Sequence, residues 1–306
     1  MALLHVLVEL GFHLHVGHLH HALRAEADAD AEHVRNAAQK LNLPFTLEKT
    51  SVRDLARCER LSLETAGRRA RLQFFETVAE TIGAQAVAVA HHRDDQIETI
   101  LANIATGCGW RGLGGMVPAR PIRPGLSLRL VRPLLNCSRE EIMRYLRDRK
   151  IAWREDRSNR DLRFRRNRIR HLLWPQLRER LGPNLETHLL RLAAGARRLQ
   201  QRLDEKTEAL WRREAKSDDS GGYRFRRELF GELGPVFSAE LIRRALAELH
   251  GGALPRDMGR DATARAMDVL NGIRRAVILP GKVDLRRKRN QVIVRKEPLK
   301  IEKQEC

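Results

Sequence analysis

A short apolar run between two helical stretches constrains the fold of this chain more than any other feature. Ala86-Val-Ala-Val-Ala90 follows Gly83, which ends a helical pattern over about residues 62–82. A second helical pattern follows over about residues 94–105. An apolar run of this length between helices predicts a strand buried on both faces. Strands that alternate with helices predict an α/β fold built on a parallel sheet.

Patterns elsewhere in the first half extend this alternation. Ser138 and Glu141 form a capping-box pattern, which predicts that a helix begins there and continues to about Arg149. The other elements predicted from apolar spacing are helices over residues 1–10 and 28–42 and strands over residues 12–16 and 44–47.

The character of the chain changes near residues 181–183, after which leucines at helical spacing dominate. Near the end, residues 276–279 and 292–294 are apolar and predict the two strands of a small hairpin. We therefore predict an α/β domain over residues 1–180, a smaller, mainly helical domain over 181–296 and a tail over 297–306.

The charge of the chain points to a polyanionic partner. Its formal net charge is +19 over 306 residues. A protein this basic usually meets nucleic acid, and an anionic membrane is the second candidate. The alternative is an arginine-rich composition inherited from a GC-rich genome, which explains arginine in place of lysine better than it explains the excess over acidic residues.

The cysteines and the apolar segments exclude several classes of protein. The four cysteines form no CxxC pair, which argues against zinc ribbons, iron–sulfur clusters and disulfide frameworks. No segment approaches the roughly 20 apolar residues of a membrane helix. The apolar residues 1–10 lack the basic region and the cleavage site of a signal peptide. We expect a cytoplasmic protein that is not bound to a membrane.

The most informative motif is Ala90-His-His-Arg-Asp-Asp-Gln-Ile-Glu-Thr99, where the apolar run passes into a helix. Asp95 and Glu98 are three residues apart and share a helix face, so they could hold an ammonium group or a metal ion. His91 and His92 would lie at the strand end, where a general base or a phosphate contact is useful. The alternative is purely structural, because acids are favoured in a first helical turn and Asp94 could be the N-cap. A zinc site is less well supported, since no matching ligands occur elsewhere.

Two further segments suggest contacts with phosphate or a loop near the site. Residues 160–170 contain six arginines and one acid, and guanidinium groups pair well with phosphates, although a solvated basic face is the alternative. The candidates there for binding RNA are Arg163, Arg165, Arg166, Arg168 and Arg170. Residues 107–116 contain the pattern GxGxxG, but the run follows a helix, so we expect a mobile glycine-rich loop or an ordinary connection rather than a dinucleotide site.

A fourth segment, residues 64–75, places Arg68 and Arg71 on one helix face with Phe74 and Phe75 close behind. Taken alone, it predicts only a helix with core phenylalanines.

Together, these segments resemble the tRNA(Ile)-lysidine synthase family in their order and spacing. The matching stretches are residues 18–24 (HLHHALR), 64–75, 90–99, 112–116 (GLGGM), 132–135 (RPLL), 153–159 (WREDRSN) and 166–170 (RNRIR). The resemblance is close over residues 1–180 and looser over residues 181–296.

The resemblance implies an N-type ATP-pyrophosphatase fold, also described as adenine nucleotide alpha hydrolase-like, that uses ATP and magnesium. Such an enzyme adenylates C2 of the wobble cytidine of tRNA(Ile) with a CAU anticodon, and the ε-amine of free L-lysine then displaces AMP. Decoding changes from AUG to AUA. By position, Asp95 and Glu98 would hold the lysine amine, Arg71 would belong to the same pocket, and the arginine-rich segment would hold tRNA. The helical domain from residue 181 would bind more of the tRNA.

The chain also departs from the family pattern. The family begins with a strand and a Ser-Gly-Gly-x-Asp-Ser loop that binds ATP phosphates, whereas Met1-Ala-Leu-Leu4 resembles the helix after that loop. We therefore expect the first strand and the loop to be missing, through a misassigned start or a fragment, and weak or no ATP turnover by this chain alone. Thr106 stands where the family usually has arginine.

Two alternatives stay open. One is a catalytically inactive, tRNA-binding remnant of the same family. The other is a related tRNA thiolase, which fits less well because the paired cysteines of such enzymes are missing.

Overall fold

The computed structural model describes residues 1–21, 27–154, 161–218, 220–255 and 258–297. The chain divides into two compact units, Met1–Ala194 and Gly195–Cys306. This division falls inside one long helix, Leu185–Glu214. The domain boundary expected near residues 181–183 stays a prediction.

The first unit alternates helices with strands along the chain. Its helices are α1 (Ala2–Glu9), α2 (Ala27–Lys40), α3 (Val52–Cys58), α4 (Leu63–Ile82), α5 (Arg93–Ala105), α6 (Trp110–Leu113), α7 (Arg139–Asp148), α8 (Arg165–Arg168), a π-helix (Ile169–Leu173) and α9 (Trp174–Leu181). Its strands are β1 (Val16–His20), β2 (Phe45–Lys49), β3 (Ala86–Ala88), β4 (Ala119–Pro121) and β5 (Arg129–Val131).

Local sequence signals set the ends of these helices. The Ser62 hydroxyl accepts the Thr65 N–H at the start of α4, and Gly83 ends the helix with φ of 68°. Such a left-handed residue at the C-cap is best tolerated by glycine. Helix α7 begins with the expected capping box, because Ser138 and Glu141 each accept the other's backbone N–H. The helices expected around residues 62–82, 94–105 and 138–149 are confirmed.

The strands of this unit form two separate sheets. Strands β1 and β2 run parallel as a pair, and β3 runs parallel to β5, which pairs antiparallel with β4. The expected α/β class with parallel strands is confirmed.

Two strand predictions were wrong in detail. The run at residues 86–90 was expected to be buried on both faces, but Ala86 and Ala88 are exposed and Val87 is half-buried. The reason is that β3 lies at the edge of its three-stranded sheet. The strand expected over residues 12–16 begins only at Val16, and Phe12 is exposed.

Packing of α4 against β1 fixes the position of Arg71 relative to the end of the strand. Phe74 is buried against Leu19 of β1. A Cβ at Gly17 would lie 3.2 Å from the Phe74 ring, so a larger residue there would require the ring or the strand to shift by a few tenths of an ångström. This contact places Arg71, one turn before Phe74, near the carboxyl end of β1.

The second unit combines helices with an antiparallel sheet. After the long helix α10 (Leu185–Glu214) come β6 (Lys216–Ser217), β7 (Tyr223–Arg226), α11 (Arg227–Leu249), α12 (Arg260–Leu270), β8 (Ala276–Leu279), β9 (Val283–Lys288) and β10 (Gln291–Lys296). The strand order is β6-β7-β10-β9-β8. Helices α11 and α12 pack on one face of this sheet through buried side chains such as Leu241, Ile242 and Val269.

The hairpin predicted at the end of this unit was wrong. Strands β8 and β10 do not pair with each other, because β9 lies between them and pairs with both. The sequence of β9 contains four charged residues in six, which hid it from an apolar pattern. Across the described residues, no helix is both long and apolar enough to cross a membrane.

Candidate active site at the start of helix α5

The N-terminus of α5 buries two carboxylates side by side. The His92 N–H donates to the Asp95 carboxylate over 2.9 Å, so His92 is the N-cap instead of Asp94. The Asp95 residue is 8% exposed and Glu98 is 2% exposed. Two carboxylates this close and this buried repel each other unless cations lie nearby.

Two arginines supply the positive charge. Arg166 Nη2 lies 2.7 Å from Asp95 Oδ1, and its Nε lies 2.7 Å from Glu98 Oε2. Arg170 Nε lies 2.5 Å from Glu98 Oε1, and its Nη2 lies 3.2 Å from Asp95 Oδ1. Each guanidinium therefore bridges both carboxylates, and the four side chains form one neutral cluster. We call these four residues the acidic-pair cluster.

The segment that carries the two arginines is shaped to reach α5. Arg166 belongs to α8 and Arg170 to the π-helix, four residues later, so both side chains lie on one face. Buried Ile169 packs against Ile97 and Leu101 of α5 and holds this face in place. A π-helix is rare and is often found at functional sites.

The other three described arginines of this segment also have partners within the chain. Arg163 pairs with Asp161 over 2.7 Å, and Arg165 donates to the Ala102 carbonyl over 2.7 Å. Arg168 donates to the carbonyls of Leu162 and Arg163. All five candidates for tRNA binding are therefore engaged in the structure, and their phosphate contacts stay a prediction.

His91 lies beside this cluster and is neutral at pH 7. Burial lowers its pKa to about 4, with help from Arg132 and Arg166 and against the attraction of Asp95. Its Nδ1 atom is buried without a hydrogen-bond partner in the part of the chain that the structure describes. A neutral imidazole can exchange hydrogen bonds with a ligand, but it carries no charge for a phosphate. His92, whose Nε2 lies 3.5 Å from Asp95, completes this side of the site.

Arg71 contacts a histidine that follows β1, and its expected place in the lysine pocket stays a prediction. Its Nη2 contacts His21 Nε2 over 3.1 Å, and it lines a cavity of about 490 Å³ at the carboxyl end of β1. His18, His20 and Asp30 also line this cavity, which we call the histidine cavity. Burial lowers the pKa of His18, and the nearby His20 and Arg71 lower it further. The structure thus brings Asp95, Glu98, His91 and His92 together and places Arg71 with histidines. Residues 22–24 and 155–159, which belong to matched motifs, and Arg160 of the arginine-rich segment lie outside the described residues.

The sequence analysis did not identify the two side chains of α5 that form hydrogen bonds with the glycine-rich segment. Gln96 Oε1 accepts the Met116 N–H over 2.7 Å, and its Nε2 donates to the Met116 carbonyl over 3.0 Å. Asn103 donates to the Gly112 carbonyl over 2.7 Å. A Cβ at Gly115, whose φ is 65°, would lie 2.8 Å from Gln96, so glycine is required there. The segment expected to be a mobile loop contains the short helix α6 and is hydrogen-bonded to side chains of α5. In the sequence, only the glycines of this segment indicated such a close contact.

Comparison with known proteins identifies the family to which this chain belongs. Residues 1–177 match the PP-loop domain family. The chain belongs to the PP-loop family. The five strands of the first unit and the site at the start of α5 all lie within this match.

The relatives that the chain matches carry the name tRNA(Ile)-lysidine synthase. The protein from Geobacter sulfurreducens is 48% identical over 197 residues, which is 63% of this chain and 41% of that protein. The protein from Solibacter usitatus is 38% identical over 268 residues, which is 85% of this chain and 56% of that protein. The chain spans about half the length of the curated relatives it matches. The resemblance inferred from the motifs is confirmed.

A solved structure supports the fold alone. The U34-tRNA thiolase NcsA from Methanococcus maripaludis superimposes with a TM-score of 0.51 at 11% identity, over 65% of this chain and 68% of that chain. At this identity the likeness carries no argument about the reaction.

Proposed function

We propose that this protein acts as a tRNA(Ile)-lysidine synthase in the cytoplasm, where tRNA, ATP and lysine are available. The reaction joins the ε-amine of free L-lysine to C2 of the wobble cytidine of tRNA(Ile) with a CAU anticodon. It changes decoding from AUG to AUA. The relatives named above carry the same activity in their names.

The buried pair of Asp95 and Glu98 is the single observation that carries this proposal. A lysine ammonium has three N–H donors and needs buried carboxylates to compensate for its lost hydration. The pair already accepts cationic N–H donors from Arg166 and Arg170 at hydrogen-bond distance. A lysine ammonium would replace one guanidinium on the same oxygens.

The histidine cavity supports the use of ATP. In open α/β sheets, ligands bind beyond the carboxyl ends of the strands, and this cavity lies at that end of β1. Arg71 offers a positive charge to a phosphate, and the histidines offer hydrogen bonds to a base or ribose. In the proposal, magnesium accompanies ATP. Among the described residues no cluster of three or more His, Cys, Asp and Glu side chains could hold a metal ion, so we assign no residue to it.

The chemistry takes two steps. The O2 atom of the cytidine attacks the α-phosphorus of ATP, and pyrophosphate leaves. The lysine nitrogen then attacks C2, the C2–O bond breaks, and AMP leaves with that oxygen. The ammonium must first lose a proton, and the carboxylates that hold it are the nearest acceptors. Neutral His91 next to them adds a hydrogen bond without repelling the lysine cation.

Incorporation of lysine into tRNA tests the proposal. The 306-residue chain, and the protein made from the gene's whole reading frame, are incubated with ATP, radiolabelled lysine and tRNA(Ile) bearing CAU. We expect label in this tRNA and none in a methionine tRNA that also bears CAU. Failure of both proteins to label either tRNA, while ATP and lysine bind, would overturn the proposal.

A further inference from the structure

Three arginines of the first unit gather around the ends of β3 and β5. Arg132 directly follows β5, Arg120 lies in the neighbouring strand β4, and Arg68 lies in α4. Burial lowers the pKa of Arg132, and the charges of Arg120 and Arg68 lower it further. We call these three residues the guanidinium cluster. Because its members repel one another, the cluster is more stable with a negative partner.

Arg132 is the buried member of this cluster. The residue is 5% exposed, and its Nη1 atom donates to the Val117 carbonyl over 2.8 Å. Among the described residues, its Nε atom is buried without a hydrogen-bond partner, and no carboxylate forms an ion pair with it. Within that part of the chain, the edge of the guanidinium formed by Nε and Nη2 is therefore free. Such an edge presents two parallel N–H groups, the geometry that binds two oxygens of one oxyanion.

The other two members are also without an acidic partner. Arg120 donates through Nη1 to the carbonyls of Pro121 and Ile122, and Arg68 is exposed to solvent. Across the described ranges of the chain, no carboxylate forms an ion pair with either guanidinium. The carboxylates of the acidic-pair cluster are already engaged by their own two arginines. Cations that a fold holds together without an acid indicate a binding site for an anion.

His91 is within reach of the charges of both clusters. Strands β3 and β5 end side by side, because the Val89 N–H donates to the Val131 carbonyl over 3.0 Å. Burial has the largest effect on the pKa of His91 and lowers it, while Asp95 raises it and Arg132 lowers it. In the part of the chain that the structure describes, its Nδ1 atom has no partner. The neutral ring can therefore donate a hydrogen bond to an anion at the guanidinium cluster.

The charge and the burial of the guanidinium cluster favour a terminal phosphate group. A free amino acid brings a carboxylate together with an α-ammonium, which three arginines would repel. A phosphodiester of RNA carries a single charge, and its flanking sugars would hinder access to Arg132. A terminal phosphate carries roughly two charges on oxygens that no further group covers, and arginine binds such oxygens in pairs.

Helix α4 connects the guanidinium cluster with the histidine cavity. Arg68 and Arg71 lie three residues apart and share one face of this helix. Arg71 lines the histidine cavity. Burial lowers the pKa of Arg71, and the charge of Arg68 lowers it further. A nucleotide with its base and ribose in the histidine cavity would therefore extend its phosphates along α4 toward the guanidinium cluster.

We propose that Arg68, Arg120 and Arg132 bind the β- and γ-phosphates of ATP and hold the pyrophosphate that leaves. This inference rests on the proposed function, because it takes the nucleotide and the reaction from it. When O2 of the cytidine attacks, the bond between the α-phosphorus and the bridging oxygen breaks, and its electron pair stays on pyrophosphate. Guanidinium groups fixed around pyrophosphate stabilise the charge that develops there.

Binding of inorganic pyrophosphate to the 306-residue chain tests the proposal. Calorimetric titrations compare pyrophosphate with phosphate and acetate, and we expect the affinity to fall in that order because the negative charge falls. Arg132→Gln should weaken pyrophosphate binding by about 10- to 100-fold, as expected for a lost hydrogen bond between charged groups. Arg68→Gln should weaken it by about fivefold, because solvent screens this exposed side chain.

The matched control is Arg69→Gln, which removes the same charge from the next residue of α4. The Arg69 guanidinium pairs with Glu59, so this variant should change pyrophosphate affinity by less than about twofold. Arg132→Lys keeps the charge without the two-pronged edge and should recover only part of the affinity. Thermal unfolding of each variant separates a loss of binding from a loss of folding. Arg68→Gln, at an exposed position, tests the site even where Arg132→Gln does not fold.

The proposal fails if the wild-type chain does not bind pyrophosphate, or if Arg69→Gln loses as much affinity as Arg132→Gln. Weaker lysine binding in Arg132→Gln, with pyrophosphate binding unchanged, would assign the guanidinium cluster to the carboxylate of lysine instead. A reduced salt slope of tRNA binding, again with pyrophosphate binding unchanged, would assign it to a phosphodiester.

Lysine incorporation by the protein made from the gene's whole reading frame is measured in parallel. Arg132→Gln should raise the KM for ATP and the inhibition constant for pyrophosphate by similar factors. If the wild type incorporates no lysine but the pyrophosphate affinities are as predicted, only the proposed function is defeated. If it incorporates lysine and the variants keep their pyrophosphate affinity, only the role of the guanidinium cluster is defeated.

Discussion

Two arginine-rich regions of this protein look alike in composition and differ in what the arginines do. In residues 161–170, Arg166 and Arg170 are fastened to the buried carboxylates of Asp95 and Glu98. On the face of the five-stranded sheet that points away from α11 and α12, Arg224 donates to the Ser217 carbonyl over 3.4 Å. Among the described residues, no carboxylate forms an ion pair with Arg224 or Lys288. Arg166 and Arg170 use their charge inside the molecule, whereas Arg224 and Lys288 present theirs to solvent.

The difference teaches that a run of arginines does not by itself indicate an RNA-binding surface. A guanidinium held by two buried carboxylates is costly to withdraw, because the carboxylates would stay behind unpaired. A guanidinium that contacts only water or a carbonyl can bind a phosphate at little cost in free energy, because no buried charge is left unpaired. The position of the carboxylates, which is a tertiary property, decides between the two.

The largest expected effect comes from Glu98→Gln, which removes one charge from the acidic-pair cluster. Lysine incorporation should fall about 100-fold, because hydrogen bonds to a charged group are worth about 1.5–3 kcal/mol. The free energy of unfolding should fall by about 3 kcal/mol, since Arg166 and Arg170 lose a buried partner. Urea unfolding and the lysine assay measure the two effects.

The matched control for this change is Glu140→Gln, in an exposed pair with Arg144 on α7. It should alter stability by less than about 0.5 kcal/mol and leave lysine incorporation unchanged. If Glu98→Gln behaved like this control, the acidic pair would have neither the structural nor the binding role assigned to it.

A double-mutant cycle sharpens the comparison from the arginine side. Arg166→Gln and Asp95→Asn should each destabilise the protein, and their effects should couple by about 2 kcal/mol because the two side chains share a hydrogen bond. The salt slope of tRNA binding should be unchanged in Arg166→Gln. A slope reduced by a full unit, with no coupling, would place Arg166 on the RNA instead.

Arg168 is the member of the first region that most resembles the second. It is exposed and donates to two backbone carbonyls and not to a carboxylate. Arg168→Ala should weaken tRNA binding and reduce the salt slope by about one unit. Filter binding at several salt concentrations measures the slope, and Arg163→Ala, whose guanidinium is paired with Asp161, is the comparison. An unchanged slope for Arg168→Ala would leave it as a solvated residue.

The last expected effect concerns His91 and is seen only below about pH 6.5, so it is absent at neutral pH. In the unfolded chain its imidazole takes up a proton near pH 6.5, whereas in the folded protein it stays neutral down to about pH 4. The unfolded state therefore binds more protons in this interval, and the free energy of unfolding falls as pH drops from about 6.5 to about 4. His91→Asn should remove this part of the pH dependence. Urea unfolding of both proteins across that interval measures it, and parallel curves would show that His91 does not contribute.

Much of the fold could be predicted because its signals are local. Ser62 and Gly83 set the ends of α4, and Ser138 with Glu141 begins α7, since these residues act on backbone groups within one helical turn. The failures came where pairing is distant. Strand β9 was missed because half its residues face outward as charges, and β3 was expected to be buried although it forms a sheet edge.

The site divides in the same way. The sequence by itself determined that Asp95 and Glu98 share a helix face after a strand, because helical periodicity fixes that relation. It also carried the order of motifs that led to the PP-loop family. Only the tertiary structure decided that Arg166 and Arg170, about 70 residues later, hold these acids, that Arg71 belongs with His21, and that cations from four strands share one face. These contacts join residues far apart in the chain, and their free energy depends on burial and on the nearest opposite charge, which no local pattern records.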